Sequence, residues 1–209
     1  MRLGILGGSF DPPHVGHLVV AQDAITALSL DRLLIVPAAQ QPLKSIMYAS
    51  PTDRLAMTHR CFDGVPKMVV SPVEIGRGGL SFMVDTVETI RRDFPSADLH
   101  LLIGEDVVES LPRWREPERL RSMVRLVVLT RVVGDTDAAL SHADLHNESD
   151  GSIRYLATRR IDVSSTEIRA RVRDGRSIRG HVTDAVAEYI ALSGLYLRDP
   201  VAVDVSERA

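Results

Sequence analysis

The sequence predicts an α/β protein: a doubly wound, mostly parallel sheet with helices on both faces. Three observations carry this. Short continuous apolar runs recur along the chain, as strands buried on both faces require. Stretches with apolar residues every three or four positions alternate with them, which is the spacing of an amphipathic helix. The first run ends in a loop crowded with glycine, proline and histidine, GGSFDPPHVGH, ahead of a helical pattern. Strand-helix-strand alternation of this kind implies right-handed crossovers between parallel strands.

Taken in order, Leu3 to Leu6 form the first run, closed by Gly7-Gly8, and Leu18, Ala21, Ala24, Ile25 and Leu28 mark the first helix. Leu33 to Val36 form the second run. Ser50-Pro51-Thr52-Asp53 then supplies an N-cap, a proline at the first helical position and an acid three residues after the cap. Met68 to Val70, Leu99 to Ile103 and Leu126 to Leu129 are further strands, and Val84, Val87 and Ile90 mark a helix between them. Ser164-Ser165-Thr166-Glu167 opens a late helix, and Thr183 to Leu192 forms another that stops at Gly194. There is no internal repeat. A single domain over residues 1–197 follows, with a polar, acidic loop at 134–152 and a flexible tail at 198–209.

Composition narrows the function. The 209 residues carry a net charge of −3 and include 44% hydrophobic and 25% charged residues, the balance of a soluble globular chain. No long basic run is present, which argues against a nucleic-acid partner. No apolar run approaches the roughly 18 residues that span a bilayer, and the N-terminus lacks the order of a signal peptide. The expectation is a cytoplasmic protein with no membrane partner; a homo-oligomer stays open. Cys61 is the lone cysteine and reads as core filler. In the acidic loop His142 and His146 lie four apart, but Ala143 stands where a helical zinc motif needs Glu, so the loop reads as solvated and no metal ligand is assigned.

Ligands of open α/β sheets bind outside the carboxyl ends of the strands, where the loop from Gly7 to His17 belongs. Gly7 and Gly8 allow close approach and positive φ, Pro12 and Pro13 stiffen the loop, and a helix starting near Val15 or Gly16 turns its amides and positive dipole end toward an anion. His14 and His17, three apart, put two imidazoles on one side of the helix, with Gly16 leaving room for a phosphate between them. A second cradle is read at Val163-Ser164-Ser165-Thr166-Glu167-Ile168-Arg169, where hydroxyls and free amides start a helix and Arg169 follows one turn in. Neither a G-x-G-x-x-G nor a P-loop pattern occurs.

The first stretch resembles the signature of the H-x-G-H nucleotidyltransferases, and the second resembles the I-S-S-T-x-I-R motif of the same superfamily. The resemblance implies a Rossmann-like nucleotidyltransferase in which an acceptor phosphate attacks the α-phosphorus of ATP, and pyrophosphate leaves. ATP and a small mononucleotide would be its partners, with Mg²⁺ carried by the ATP. His14, His17 and Arg169 would be catalytic. ATP would lie against Gly7, Gly8, Ser9, Phe10, His14, Gly16, His17, Gly104, Asp106, Ser164, Ser165, Thr166 and Arg169.

Beyond the two signatures the chain is most similar to the bacterial nicotinate mononucleotide adenylyltransferases. Pro37 to Lys44 matches their substrate loop, Glu74 to Gly79 their E-x-x-R-G-G, Gly104-Glu105-Asp106 with Leu111 and Trp114 their G-x-D…L-x-x-W, and Thr130-Arg131 their T-R. The resemblance implies acceptor contacts from Lys44, Met83, Trp114, Arg115 and Arg131, with Trp114 stacked on the pyridine ring and Asp106 on the adenosine side. The sequence departs from the family at Leu43, where a histidine is usual, at Phe82-Met83, and at Val132-Val133. Two alternatives stay open on these departures: another acceptor such as phosphopantetheine, and a non-catalytic nucleotide-binding paralogue.

Overall fold

The computed structural model describes residues 1–42, 47–132, 146–147 and 153–198, with backbone alone at 131–132 and 146–147. Lys44, Leu43, nearly all of the 134–152 loop and the tail from residue 199 lie outside the described residues. The elements run β1 (Arg2–Gly8), α1 (Val15–Ala27), β2 (Arg32–Pro37), α2 (Pro51–Phe62), β3 (Met68–Val70), α3 (Val73–Arg77), α4 (Met83–Asp93), β4 (Asp98–Gly104), a 3-10 segment (Glu105–Arg113), α5 (Pro117–Met123), β5 (Arg125–Val132), β6 (His146–Asn147), β7 (Ile153–Arg159), α6 (Ser165–Arg173) and α7 (Asp184–Ser193).

The sheet order is β3-β2-β1-β4-β5-β7-β6. Its neighbours pair in parallel, except for the antiparallel β6 and β7. Because side chains alternate across a strand, the sheet divides its apolar residues between two cores. Leu6, Leu33, Ile35, Leu102, Val127 and Leu156 pack under α1, α2, α6 and α7. Leu3, Ile5, Leu34, Leu101 and Val128 pack under α4, α5 and the 3-10 segment. This is the predicted doubly wound arrangement. Gly4 shows how tightly the first layer closes: a Cβ there would meet Leu30 and Leu33 at 2.6 Å.

Two strands escape the sequence reading: β6, inside the stretch read as a loop, and β7. β7 holds Arg154, Tyr155, Thr158 and Arg159 among its apolar residues, so no continuous run marks it, and it lies one place from the sheet edge, where such residues reach solvent. The caps are as read. Ser50 Oγ accepts from Asp53 N–H at 3.1 Å, Ser164 Oγ from Glu167 N–H at 3.1 Å, and Gly194 ends α7 at φ 65°. The chain leaves β1 for β2 on one side and returns to β4 on the other. The order therefore reverses between β1 and β4, and the crevice beyond Gly8 and Gly104 is where such a sheet takes ligands.

Candidate active site

The loop after β1 differs from its sequence reading in an instructive way. Gly7 and Gly8 finish the strand without positive φ; the left-handed residue is Phe10, at φ 49°. Phe10 is held there by burial: its ring is 2% exposed and meets Phe62 and His17 edge-on, with centroids 5.9 and 5.1 Å away. A nucleotide at this loop would therefore meet Phe10 through its backbone. Gly8 is needed because a Cβ would strike the Phe10 ring at 3.0 Å.

His14 is the N-cap of α1, and its ring lies 3.7 Å from that of His17 with a 31° tilt, so the spacing of three does bring the imidazoles together. Gly16 serves this pairing. A Cβ there would stand 3.0 Å from His14 Nδ1, so the glycine leaves room for the imidazole. His14 N–H donates to His17 Nδ1 at 3.2 Å. A neutral His17 then carries its proton on Nε2, the donor tautomer needed for an oxyanion. The helix start is less open than its sequence suggests, because Val15 N–H donates to the His181 carbonyl and His17 N–H to that of His14.

The second motif docks on the first. Ser165 Oγ donates to the Pro12 carbonyl at 2.8 Å, and Arg169 Nη1 to the Asp11 carbonyl at 2.7 Å. Arg169 Nη2 donates to Thr166 Oγ1 at 3.1 Å, and its guanidinium lies 4.1 Å over the Tyr48 ring. Two of its five N–H donors are thus used on the protein. Residues separated by some 150 positions become one wall, with Ser164 spent on its cap.

Three residues that motif reading passed over hold this wall. Asp11 is 4% exposed, and its carboxylate accepts from Tyr48 N–H at 2.7 Å, Ala49 N–H at 3.1 Å and the Tyr196 hydroxyl at 2.7 Å. Burial first, then Asp11, pushes the Tyr196 pKa up, which keeps its hydroxyl a donor. Arg54 is fully buried and donates to the carbonyls of Ser9, Ala38, Ala39 and Ala49, joining the loops after β1 and β2 to the start of α2. Burial, the largest influence, lowers its pKa, and Asp11, Tyr196 and Glu74 oppose that shift. A fully buried arginine inside an otherwise ordinary helix is a signal only if its lack of solvent is known.

Beside this wall opens a cavity of about 390 Å³, lined by Gly7 and Gly8, by Phe82 and Met83 at the start of α4, and by Gly104, Asp106, Trp114 and Arg115 beyond β4. The structure brings Met83, Trp114 and Arg115 together, and Gly104 and Asp106, read on the adenosine side, line the same cavity with Gly7 and Gly8. Asp106 folds back over Gly104, where a Cβ would stand 2.4 Å from its Oδ1. Trp114 Nε1–H donates to Ser110 Oγ at 3.1 Å, leaving the ring as a wall. Arg115 lies 4.9 Å over Phe82 and 3.5 Å from Asp85. The N-cap of α4, Phe82, makes no side-chain cap bond, and the helix starts at the cavity, which Phe82 and Met83 line. Ser9 Oγ donates to Gln41 Oε1 at 3.1 Å at the cavity's edge. Arg131 sits in β5 opposite Thr158. Among the described residues no cluster of three or more His, Cys, Asp or Glu could hold a metal ion, and no helix is long and apolar enough to cross a membrane.

A sheet that reverses beside paired histidines and a docked S-S-T-x-I-R helix defines a class, and residues 5–171 match it: the chain belongs to the cytidylyltransferase-like family. Within that class it stands with the nicotinate-nucleotide adenylyltransferases. It is 61% identical over 209 residues to the "Probable nicotinate-nucleotide adenylyltransferase" of Gemmatimonas aurantiaca, covering 100% of this chain and 99% of that one. A protein of the same name from a Roseiflexus species is 40% identical over 195 residues, 93% of this chain and 97% of its own. Plasmodium falciparum nicotinic acid mononucleotide adenylyltransferase, solved with NaAD, shares the fold at TM-score 0.71 and 18% identity, over 95% of this chain and 98% of that one.

Proposed function

We infer that the chain transfers the adenylyl group of ATP to nicotinate mononucleotide, giving nicotinate adenine dinucleotide and pyrophosphate, as a step of NAD biosynthesis in the cytoplasm. The observation that carries this is the docking of Ser165 and Arg169 onto the Pro12 and Asp11 carbonyls, which joins two phosphate-binding motifs beside the stacked His14 and His17. An oxygen of the acceptor phosphate attacks the α-phosphorus, the bond to the bridging oxygen breaks, and pyrophosphate leaves with that electron pair. Such transfers run on positioning and charge stabilisation, without a covalent enzyme intermediate.

In this reading His17 donates from Nε2 to the oxygens that gain charge, His14 holds the tautomer of His17 through its N–H, and the N–H groups of Arg169 not used on the protein take the departing pyrophosphate. Mg²⁺ arrives with ATP as part of the substrate, held by phosphate oxygens and water. The 390 Å³ cavity takes the nicotinate ring against Trp114. Its carboxylate faces the amides at the start of α4, where the helix dipole favours an anion over a neutral amide.

Initial rates with Mg-ATP and a panel of acceptor phosphates, following pyrophosphate, test the assignment. The expected result is turnover with nicotinate mononucleotide, at a higher kcat/KM than with its amide. Equal values for acid and amide would overturn the role of the α4 amides. Arg169→Ala should raise the KM for ATP more than that for the acceptor; the reverse would show that the two subsites have been exchanged.

A further inference from the structure

A cation that grips a leaving phosphate has to be held in place without being neutralised, and the surroundings of Arg169 meet that demand. Nη1 donates to the Asp11 carbonyl at 2.7 Å, and Nη2 to Thr166 Oγ1 at 3.1 Å. The third support is Tyr48, whose ring centroid lies 4.1 Å from the guanidinium carbon. A carbonyl, a hydroxyl and a ring carry no net charge. A carboxylate in place of the ring would hold the guanidinium firmly, but it would take N–H donors and cancel the charge that attracts phosphate. The ring does neither, since it attracts the cation through its π face and leaves the in-plane N–H groups to other partners.

Tyr48 is itself fixed through its backbone. Its main-chain N–H donates to Asp11 Oδ2 at 2.7 Å, and the Ala49 N–H to Asp11 Oδ1 at 3.1 Å. Asp11, at 4% exposure, therefore sets both surfaces that meet Arg169: its carbonyl receives Nη1, and its carboxylate holds the main chain that carries the ring. The ring belongs to neither hydrophobic core, and Tyr48 is 38% exposed, so packing of the interior does not account for an aromatic residue here. Because the anchor of Tyr48 is a main-chain N–H, it is kept when the side chain is replaced, and substitution tests the ring alone.

We propose that Tyr48 is a positioning residue for adenylyl transfer: its ring holds the Arg169 guanidinium in the orientation that receives the departing pyrophosphate. This rests on the reading of Arg169 as the group that takes pyrophosphate.

Steady-state kinetics of the full chain test it, with the KM for ATP, the inhibition constant for pyrophosphate and the KM for the acceptor measured on each variant. Tyr48→Ala should raise the first two by about fourfold, the worth of a partly exposed cation–π contact, and leave the third unchanged. Tyr48→Phe keeps the ring and should return both values to within about twofold of the parent. Tyr48→Leu keeps apolar bulk without the π face, so it should behave as Tyr48→Ala does, and it gives the same reading if Tyr48→Ala fails to fold. In an Arg169→Ala background, Tyr48→Ala should cause no further loss, because the group it positions is gone. A further loss there would show that the ring meets a substrate itself, and a parent-like Tyr48→Leu would make it filler; either overturns the proposal. An unchanged KM for ATP in Tyr48→Ala beside a raised one in Arg169→Ala overturns the proposal alone, whereas an unchanged KM for ATP in Arg169→Ala overturns the reading of Arg169 and the proposal with it.

Discussion

Around Asp11 and Arg54, buried side chains hold main-chain groups of the loops after β1 and β2 and the start of α2, and the Tyr196 hydroxyl of the segment after α7. Across the crevice, the cavity of Phe82, Met83 and Trp114 presents apolar and aromatic side chains, with pairwise bonds such as Trp114 to Ser110, the Ala39 N–H to Ser81 Oγ and Thr86 to Glu74 in its lining. On the proposed function, the difference follows from what each half must hold. Charge developing on phosphate oxygens is stabilised only by donors fixed within a few tenths of an ångström, so that half is tied down by hydrogen bonds. An aromatic ring is held by area and stacking, which tolerate changes of residue type. The departures Phe82 and Met83 accordingly fall in the half where shape suffices.

His17→Ala probes the bonded half most severely. It should lower turnover by about 100-fold or more, near 3 kcal/mol, with the far-UV spectrum unchanged, since it removes one preorganised donor. A folded variant with near-normal turnover would remove the basis of the contrast. Arg54→Met leaves the carbonyls of Ser9, Ala38, Ala39 and Ala49 without their donor. It should lower stability in urea by about 3 kcal/mol, with Arg54→Lys recovering only part, because a point cation cannot span four acceptors. Trp114→Ala, in the shape-built half, should raise the acceptor KM by about tenfold at constant KM for ATP, and Trp114→Phe should restore most of it. Equal effects on both substrates would show that the ring serves the whole crevice. The smallest change is expected of Leu43→His, which returns a donor usual in the family and should lower the acceptor KM by about threefold, a fraction of one hydrogen bond. A higher KM would mean that the loop has been rebuilt around leucine.

Much of this was legible in the sequence, for reasons that differ by region. Buried parallel strands write themselves as apolar runs, and Ser50, Ser164 and Gly194 announce helix ends because capping is a local matter. The two phosphate motifs are legible because their chemistry admits few residue types. β7 was not, since a strand near the sheet edge carries Arg154 and Tyr155 without penalty. Arg54, Asp11 and Tyr196 were not, since each acts on groups brought near only by the fold. The packing of Gly7, Gly8 and Gly16 was not legible for the same reason: their neighbours, Met83, the Phe10 ring and the His14 imidazole, are set by the fold.

The bond from the Tyr196 hydroxyl to Asp11 ties a residue near the end of α7 to the loop that leaves the first strand. During synthesis the histidine loop leaves the ribosome early, yet the hydroxyl that fixes its carboxylate is translated 185 residues later. A chain cut before Tyr196 would leave the Asp11 carboxylate held by the Tyr48 and Ala49 N–H groups without the hydroxyl.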